Sequence, residues 1–358
     1  MENRNEQFGQ EDHSEHRIKQ EAGKFEAMMR GEAFHFFDSM VLDDIFFYYL
    51  RHNKLNQALN LSNYALGRNP QSEELYFKRA SVYYELGRLN EANRDIQRAL
   101  DQDPLQMEYV FLQAEVLSQL GKYKSAQKTL ENYLNLTDRK DEVCFQMGNI
   151  AQVSGKMEDA EKYYRRALEF RPGFEELVYE LAYCLEMQEK IASAVELYEA
   201  FLDKKPFTSP VWYNLGILYA RLGFFEKAVD AYDFALAIDD AFASAWYNKG
   251  NVLMEMGRYD EALKSFLEAC IHEKPDLALH YNIAECYEQM ENYSMASKYF
   301  LRCTNSNPDY TEAWIGLAFC MDCMEKFTEA IHFYGKAVQT DPENFDAWQC
   351  LASVEYRV

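Results

Sequence analysis

Apolar side chains recur along the chain in two alternating runs. Each has the i, i+3, i+4, i+7 spacing of one helical face, and the pair of runs repeats every 34 residues. The register is marked by alanine at Ala58, Ala92, Ala126, Ala160, Ala194, Ala228, Ala262, Ala296 and Ala330, nine in succession with no insertion or deletion. With each alanine counted as position 20, units begin at Ser39, Glu73, Met107, Asp141, Glu175, Ser209, Ala243, Leu277 and Thr311, and nine of them fill residues 39–344. Apolar positions 4, 7, 8 and 11 predict a helix A, and positions 17, 20, 24 and 27 predict a helix B. The predicted class is all-α, an array of helix pairs.

The punctuation has the same period. Position 15 is Gly87, Gly121, Gly155, Gly223 or Gly257, with Asn53 and Asn292 read as its equivalents, residue types that tolerate the left-handed conformation ending a helix. Pro70, Pro104, Pro172, Pro206, Pro275, Pro308 and Pro342 follow an alanine of the series by twelve or thirteen residues and close the units. All four tryptophans, Trp212, Trp246, Trp314 and Trp348, hold position 4. The alanine has a steric reason, since two helices joined by a short turn approach closely only where side chains at the crossing are small. Position 8 supplies the facing small residue, as at Ala80, Gly148, Gly216 and Gly250, while Trp212, Tyr219 and Tyr232 illustrate the large residues that fill the groove to the next unit. No single unit buries its apolar face alone, so stability arises from stacking.

This pattern resembles the tetratricopeptide repeat family. Its signature W-x2-L-G-x2-Y, then A-x3-F, A and P, is met by Trp212, Leu215, Gly216, Tyr219, Ala228, Tyr232 and Ala235, with Asp240 in place of the proline. The unit at Asp141 adds Met147, Gly148, Ala160, Tyr164, Ala167 and Pro172. The first unit departs most, with Phe46 at position 8 and Ser62 at position 24. The resemblance implies an alpha-alpha solenoid, a right-handed superhelix whose concave wall is made by the A helices and grips extended peptides or helices of partner proteins. Residues 1–24, polar and mixed in charge, read as a disordered tail. Residues 25–38 carry Phe25, Met28, Met29, Phe34, Phe36 and Phe37 and read as a cap on the first unit. Residues 345–358 read as helix A of a tenth, incomplete unit. Its uncapped edge implies that the chain continues or that self-association occurs there.

Charge narrows the partner. With 37 Lys+Arg against 59 Asp+Glu the formal charge is −22, which disfavours nucleic acid and anionic membrane surfaces, both bound through cations. The same charge and the period also argue against the RNA-reading pentatricopeptide pattern. Eight cysteines without a paired framework read as buried thiols of a reducing, cytoplasmic compartment. Cys320 and Cys323 lie one turn apart, but no second pair completes a zinc set, and Cys184, Cys286 and Cys320 share position 10, a packing site. There is no phosphate loop, nucleophile elbow or metalloprotease motif, so no cofactor, metal or catalytic residue is expected.

By the family's geometry, positions 2, 5, 6, 9, 12 and 13 of the A helices line the groove. Across ten A helices these places hold sixteen acidic residues and four basic ones, Arg51, Lys78, Arg221 and Arg357. The acids form either a solvated face or a field that draws cationic segments inward. Tyr213-Asn214, Tyr247-Asn248 and Tyr281-Asn282 repeat in phase, with Asn251 one turn beyond Asn248. They resemble the asparagine ladder of glycosyltransferase and kinesin light chain relatives, in which amides bond the backbone of an extended ligand; the alternative is that these amides bond local groups. Tyr213, Asn214, Arg221, Tyr247, Asn248, Asn251, Tyr281 and Asn282 are therefore the candidate peptide-binding residues. The family's clamp for acidic C-terminal tails is not matched, because Tyr247, Glu312 and Gly316 stand where its cations belong. The expected function is a non-catalytic interaction scaffold for neutral or basic peptide segments. The alternative is the recognition arm of a larger, glycosyltransferase-like enzyme.

Overall fold

The structure is a computed structural model that describes residues 2–358, with side chains from Glu15 onward. Among the described residues there are twenty helices and no strand. The first, α1, is Glu2–Met29. Then come α2 (Ser39–Arg51), α3 (Leu55–Arg68), α4 (Glu73–Glu85), α5 (Leu89–Gln102), α6 (Met107–Gln119), α7 (Tyr123–Tyr133), α8 (Lys140–Val153) and α9 (Met157–Phe170). They are followed by α10 (Glu175–Met187), α11 (Ile191–Leu202), α12 (Ser209–Arg221), α13 (Phe225–Ile238), α14 (Ala243–Glu255) and α15 (Tyr259–His272). The last five are α16 (Leu277–Gln289), α17 (Tyr293–Ser306), α18 (Thr311–Cys323), α19 (Phe327–Thr340) and α20 (Phe345–Arg357). From α2 onward the even-numbered helices are A helices and the odd-numbered ones B helices. The chain divides into two compact units, one ending at Cys184 and one starting at Leu185. Each is an all-α stack of helix pairs. No described helix is long and apolar enough to cross a membrane.

All nine alanines of the series are fully buried. From the second unit on, their partners at position 8 are glycine or alanine, and from the fourth unit on a ring at position 24 backs them: a β-carbon on Gly148 would stand 2.4 Å from the Tyr164 ring, and one on Gly250 2.5 Å from the Phe266 ring. The ring at position 24 thus fills the space that a small position 8 leaves. The first unit inverts the pair, with Phe46 buried at position 8 and Ser62 buried at position 24, where its hydroxyl donates to the Ala58 carbonyl at 2.8 Å. Volume is conserved although its source has moved to the other helix.

Trp212, Trp314 and Trp348 donate Nε1–H to the carbonyls of Pro206, Pro308 and Pro342 at 2.7, 2.7 and 3.0 Å. Trp246 makes the same bond to Asp240 at 2.9 Å. The tryptophan therefore ties the end of one unit to the start of the next, and the bond needs only a carbonyl, which explains why Asp240 can replace proline.

Two expectations are corrected. The left-handed residue of the eighth unit is Glu291, at φ 59°, and Asn292 instead caps α17, its side chain accepting from Met295 N–H at 3.3 Å. Glu189 and Glu325 are left-handed too, both at φ 59°, so stacking holds three turns in a conformation disfavoured for a residue with a β-carbon. The second correction concerns the tail. Residues 15–24 are helical, because Ile18, Ala22 and Phe25 fall at i, i+4 and i+7 and pack on α2 and α3. Phe25 is 1% exposed, edge-on to Phe37 and Tyr64, and the Tyr49 hydroxyl donates to the Ala22 carbonyl at 3.3 Å. Of the remaining aromatic residues in the cap segment, Phe37 is buried, whereas Phe34 and Phe36 are exposed.

Candidate functional site

The in-phase Tyr/Asn row lies in the unit that starts at Leu185, on α12, α14 and α16. Its Tyr–Asn contacts between A helices follow one spacing, in which a residue meets the residue 35 positions later on the next A helix. Asn248 Nδ2 donates to the Tyr213 hydroxyl at 3.0 Å, and Asn282 Nδ2 donates to the Tyr247 hydroxyl at 3.4 Å and to Asn251 Oδ1 at 2.9 Å. Asn214 bonds the Tyr198 hydroxyl on α11. Tyr213 and Tyr247 are braced by rings, Tyr213 lying 4.7 Å from Phe242 and Tyr247 5.8 Å from Phe266, centroid to centroid. Burial raises the Tyr213 phenol above its ordinary pKa, against the lowering effect of the Asn248 bond, so it stays protonated at neutral pH.

The amide donors are thus engaged within the protein, while Asn248 and Asn282 accept no hydrogen bond at Oδ1 among the described residues. Both amides are half-buried, and Tyr213, Tyr247 and Asn248 line a cavity of about 250 Å3. Tyr281 extends the row, packed between Phe300 and Tyr310 at 5.6 and 5.2 Å, and its hydroxyl bonds Glu285 on the next turn. Arg221, by contrast, is exposed and forms an ion pair with Glu186 on α10.

The acidic places are not a uniform field. The same 35-residue rule pairs Lys78 with Asp43 at 2.7 Å, Arg221 with Glu186 and Arg357 with Asp322, while Arg139 takes Glu108 at 2.6 Å. Tyr84 continues the pattern by accepting from the neutral Gln119 Nε2, and it also donates to Glu115 Oε1, both at 2.6 Å. Glu285 and Glu288 on α16 pair with no cation among the described residues and, unlike the exposed and equally unpaired Glu255 and Glu312, are partly buried. Burial raises the Glu285 carboxyl, and burial followed by the neighbouring Glu285 charge pushes Glu288 up to about 7. They line a cavity of about 310 Å3 with Tyr281, Glu312, Ile315 and Phe319. Sequence reading took both as members of a general acidic face. Setting position 12 of each unit beside position 13 of the next separates Glu288 from the rest, and Glu285, at position 9, lies one turn before it.

Cys184, Cys286 and Cys320 are fully buried packing residues, and burial raises their thiols well above the ordinary range. Cys323 is exposed.

A family model described as Tetratricopeptide repeat matches residues 48–106, 77–134, 145–208 and 213–278, and a second model of that description matches residues 277–310. No curated protein matches the sequence. Among solved structures the chain is similar to the MamA protein, at 15% identity and TM-score 0.45 over 47% of this chain and 92% of that one. It is similar to YrrB, described as a TPR protein with an unusual peptide-binding site, at 24% identity and TM-score 0.42 over 46% and 84%. It is also similar to a chain of the Naa15/Naa10 complex bound to HypK-THB, at 19% identity and TM-score 0.47 over 77% and 43%.

Proposed function

The chain belongs to the tetratricopeptide repeat family, and from that premise we propose that it is a non-catalytic protein-interaction scaffold whose A-helix face, from α12 to α18, holds an extended segment of a partner protein. One observation carries the reading: tyrosine hydroxyls accept from the amides of Asn248 and Asn282, no hydrogen bond reaches the carboxamide oxygen of either among the described residues, and Asn248 lines a cavity. A fixed acceptor suits the backbone N–H of a strand-like ligand, whatever that ligand's sequence. Tyr213, Asn214, Tyr247, Asn248, Asn251, Tyr281 and Asn282 are the contact residues in this reading, and Arg221 is a strut on Glu186. The acidic surround favours neutral or basic segments over acidic ones.

The test is a display selection of peptides on the full chain, followed by titration of the selected peptides into the wild type and into the variant carrying Asn214→Ala, Asn248→Ala and Asn282→Ala. Weaker binding to the variant with unchanged helicity supports the reading. Equal binding to both, or selection of acidic peptides, contradicts it.

A further inference from the structure

We infer that the gap between α16 and α18 receives the guanidinium of an arginine from the bound segment, held by Glu285 and Glu288. The inference rests on the peptide-groove reading and specifies what that groove selects.

At several other steps, though not at all of them, two kinds of side-chain rung link neighbouring A helices. One joins position 5 to position 6 of the next unit: Asp43 with Lys78, Tyr213 with Asn248, Tyr247 with Asn282. The other joins position 12 to position 13 of the next unit: Tyr84 with Gln119, Glu186 with Arg221, Asp322 with Arg357. Between α16 and α18 neither kind forms among the described residues. Opposite Tyr281 stands Gly316, which has no side chain and is held to that by the Phe300 ring, 2.5 Å from where a β-carbon would lie. Opposite Glu288 stands Cys323. Two adjacent losses leave the cavity of about 310 Å3.

The acids at position 12 are Glu186, Glu288 and Asp322. Two of them are paired by an arginine that ends the next A helix, Arg221 at the end of α12 and Arg357 at the end of α20. Cys323 ends α18 in the equivalent place, so Glu288 retains the anion of a rung whose cation is absent from the chain. Its neighbours supply no substitute: Glu285 shares its helix, Tyr281 donates to Glu285, Cys320, Cys323 and Tyr293 are neutral, and Arg357 is engaged by Asp322. Partly buried carboxylates one turn apart are costly without a counter-charge. A metal is not the fit, since the described residues hold no cluster of three ligating groups. A planar guanidinium is, because its forked donors reach two carboxylates at once and its face stacks on rings such as Phe319 and Tyr281.

The probe is a fluorescein-labelled glycine–serine peptide bearing one arginine, compared by anisotropy with its citrulline twin, which has the same shape and no charge. Each is titrated into the full wild-type chain, Glu288→Gln and Cys323→Arg, with circular dichroism to verify folding. The arginine peptide is expected to bind wild type about tenfold more tightly than the citrulline peptide, the worth of one charge-assisted hydrogen bond. That advantage should vanish in Glu288→Gln, which removes the anion, and in Cys323→Arg, which completes the rung from within and should also raise the melting temperature. Equal affinity of the two peptides for wild type, or an advantage that survives both substitutions, overturns the inference and leaves the peptide reading intact. Binding of neither peptide overturns both. Should Glu288→Gln fail to fold, Glu285→Gln and Cys323→Arg decide the matter by the same comparison.

Discussion

The phenol ring of Tyr232 occupies the space that a β-carbon on Gly216 would need, 2.6 Å from its ideal position. The ring is buried and the crossing is closed around it. Gly216→Ala should therefore destabilise the fold by ~1 to 3 kcal/mol through overpacking, although alanine favours the helix. Urea denaturation measures this, and an unchanged midpoint would mean that the ring moves freely.

Arg79 holds Asp95, which is 3% exposed, with Nε–Oδ2 at 2.6 Å and Nη2–Oδ1 at 3.0 Å. Truncating Arg79 leaves the buried carboxylate with Arg98 alone, which is exposed and 3.7 Å away. Arg79→Ala should cost ~3 to 5 kcal/mol, and the double variant with Asp95→Asn should recover part of the loss. A double-mutant cycle gives the coupling directly.

Glu291 sits in the left-handed region, where a β-carbon is strained. Glu291→Gly should stabilise by about 0.5 to 1 kcal/mol, the relief of strain exceeding the extra freedom of glycine in the unfolded chain. Gly257→Ala, at φ 72° in the preceding unit, should shift stability the other way. Thermal melts of the two variants are the comparison to make.

Glu288 is raised from 4.5 to about 7 by burial first and by Glu285 second. In that interval the folded state keeps a proton that the unfolded state has lost. Its contribution is complete below pH 4.5 and is lost as pH rises to about 7. Wild type should lose of order 2 kcal/mol across this window relative to Glu288→Gln, whose stability lacks that titration. The difference between the two curves isolates the group from the titration of the other carboxylates.

The period, the two helices per unit and the buried alanines were legible because each depends on local spacing. Position 20 tolerates little besides a methyl group, so the sequence repeats it without error. The Glu291 turn was legible in the register, since it lies 34 residues after Gly257, but residue type favours Asn292 at the next position, and that residue caps a helix. The helical character of residues 15–24 was missed because three apolar residues among many charges look sparse until their common face meets α2 and α3. The Tyr/Asn row was found, but its internal hydrogen bonds were not, since they link residues 35 apart whose separation only the stacked helices define. The vacant rung at Glu288 required the same knowledge.

The central claim is that a partner segment lies along the A helices of the unit beginning at Leu185. Hydrogen–deuterium exchange of the full chain, with and without a selected peptide at saturating concentration, tests it most directly. The account predicts slowed exchange in α12, α14, α16 and α18, with α13, α15 and α17 unchanged. Protection confined to those B helices, or to α2–α8 alone, would contradict it.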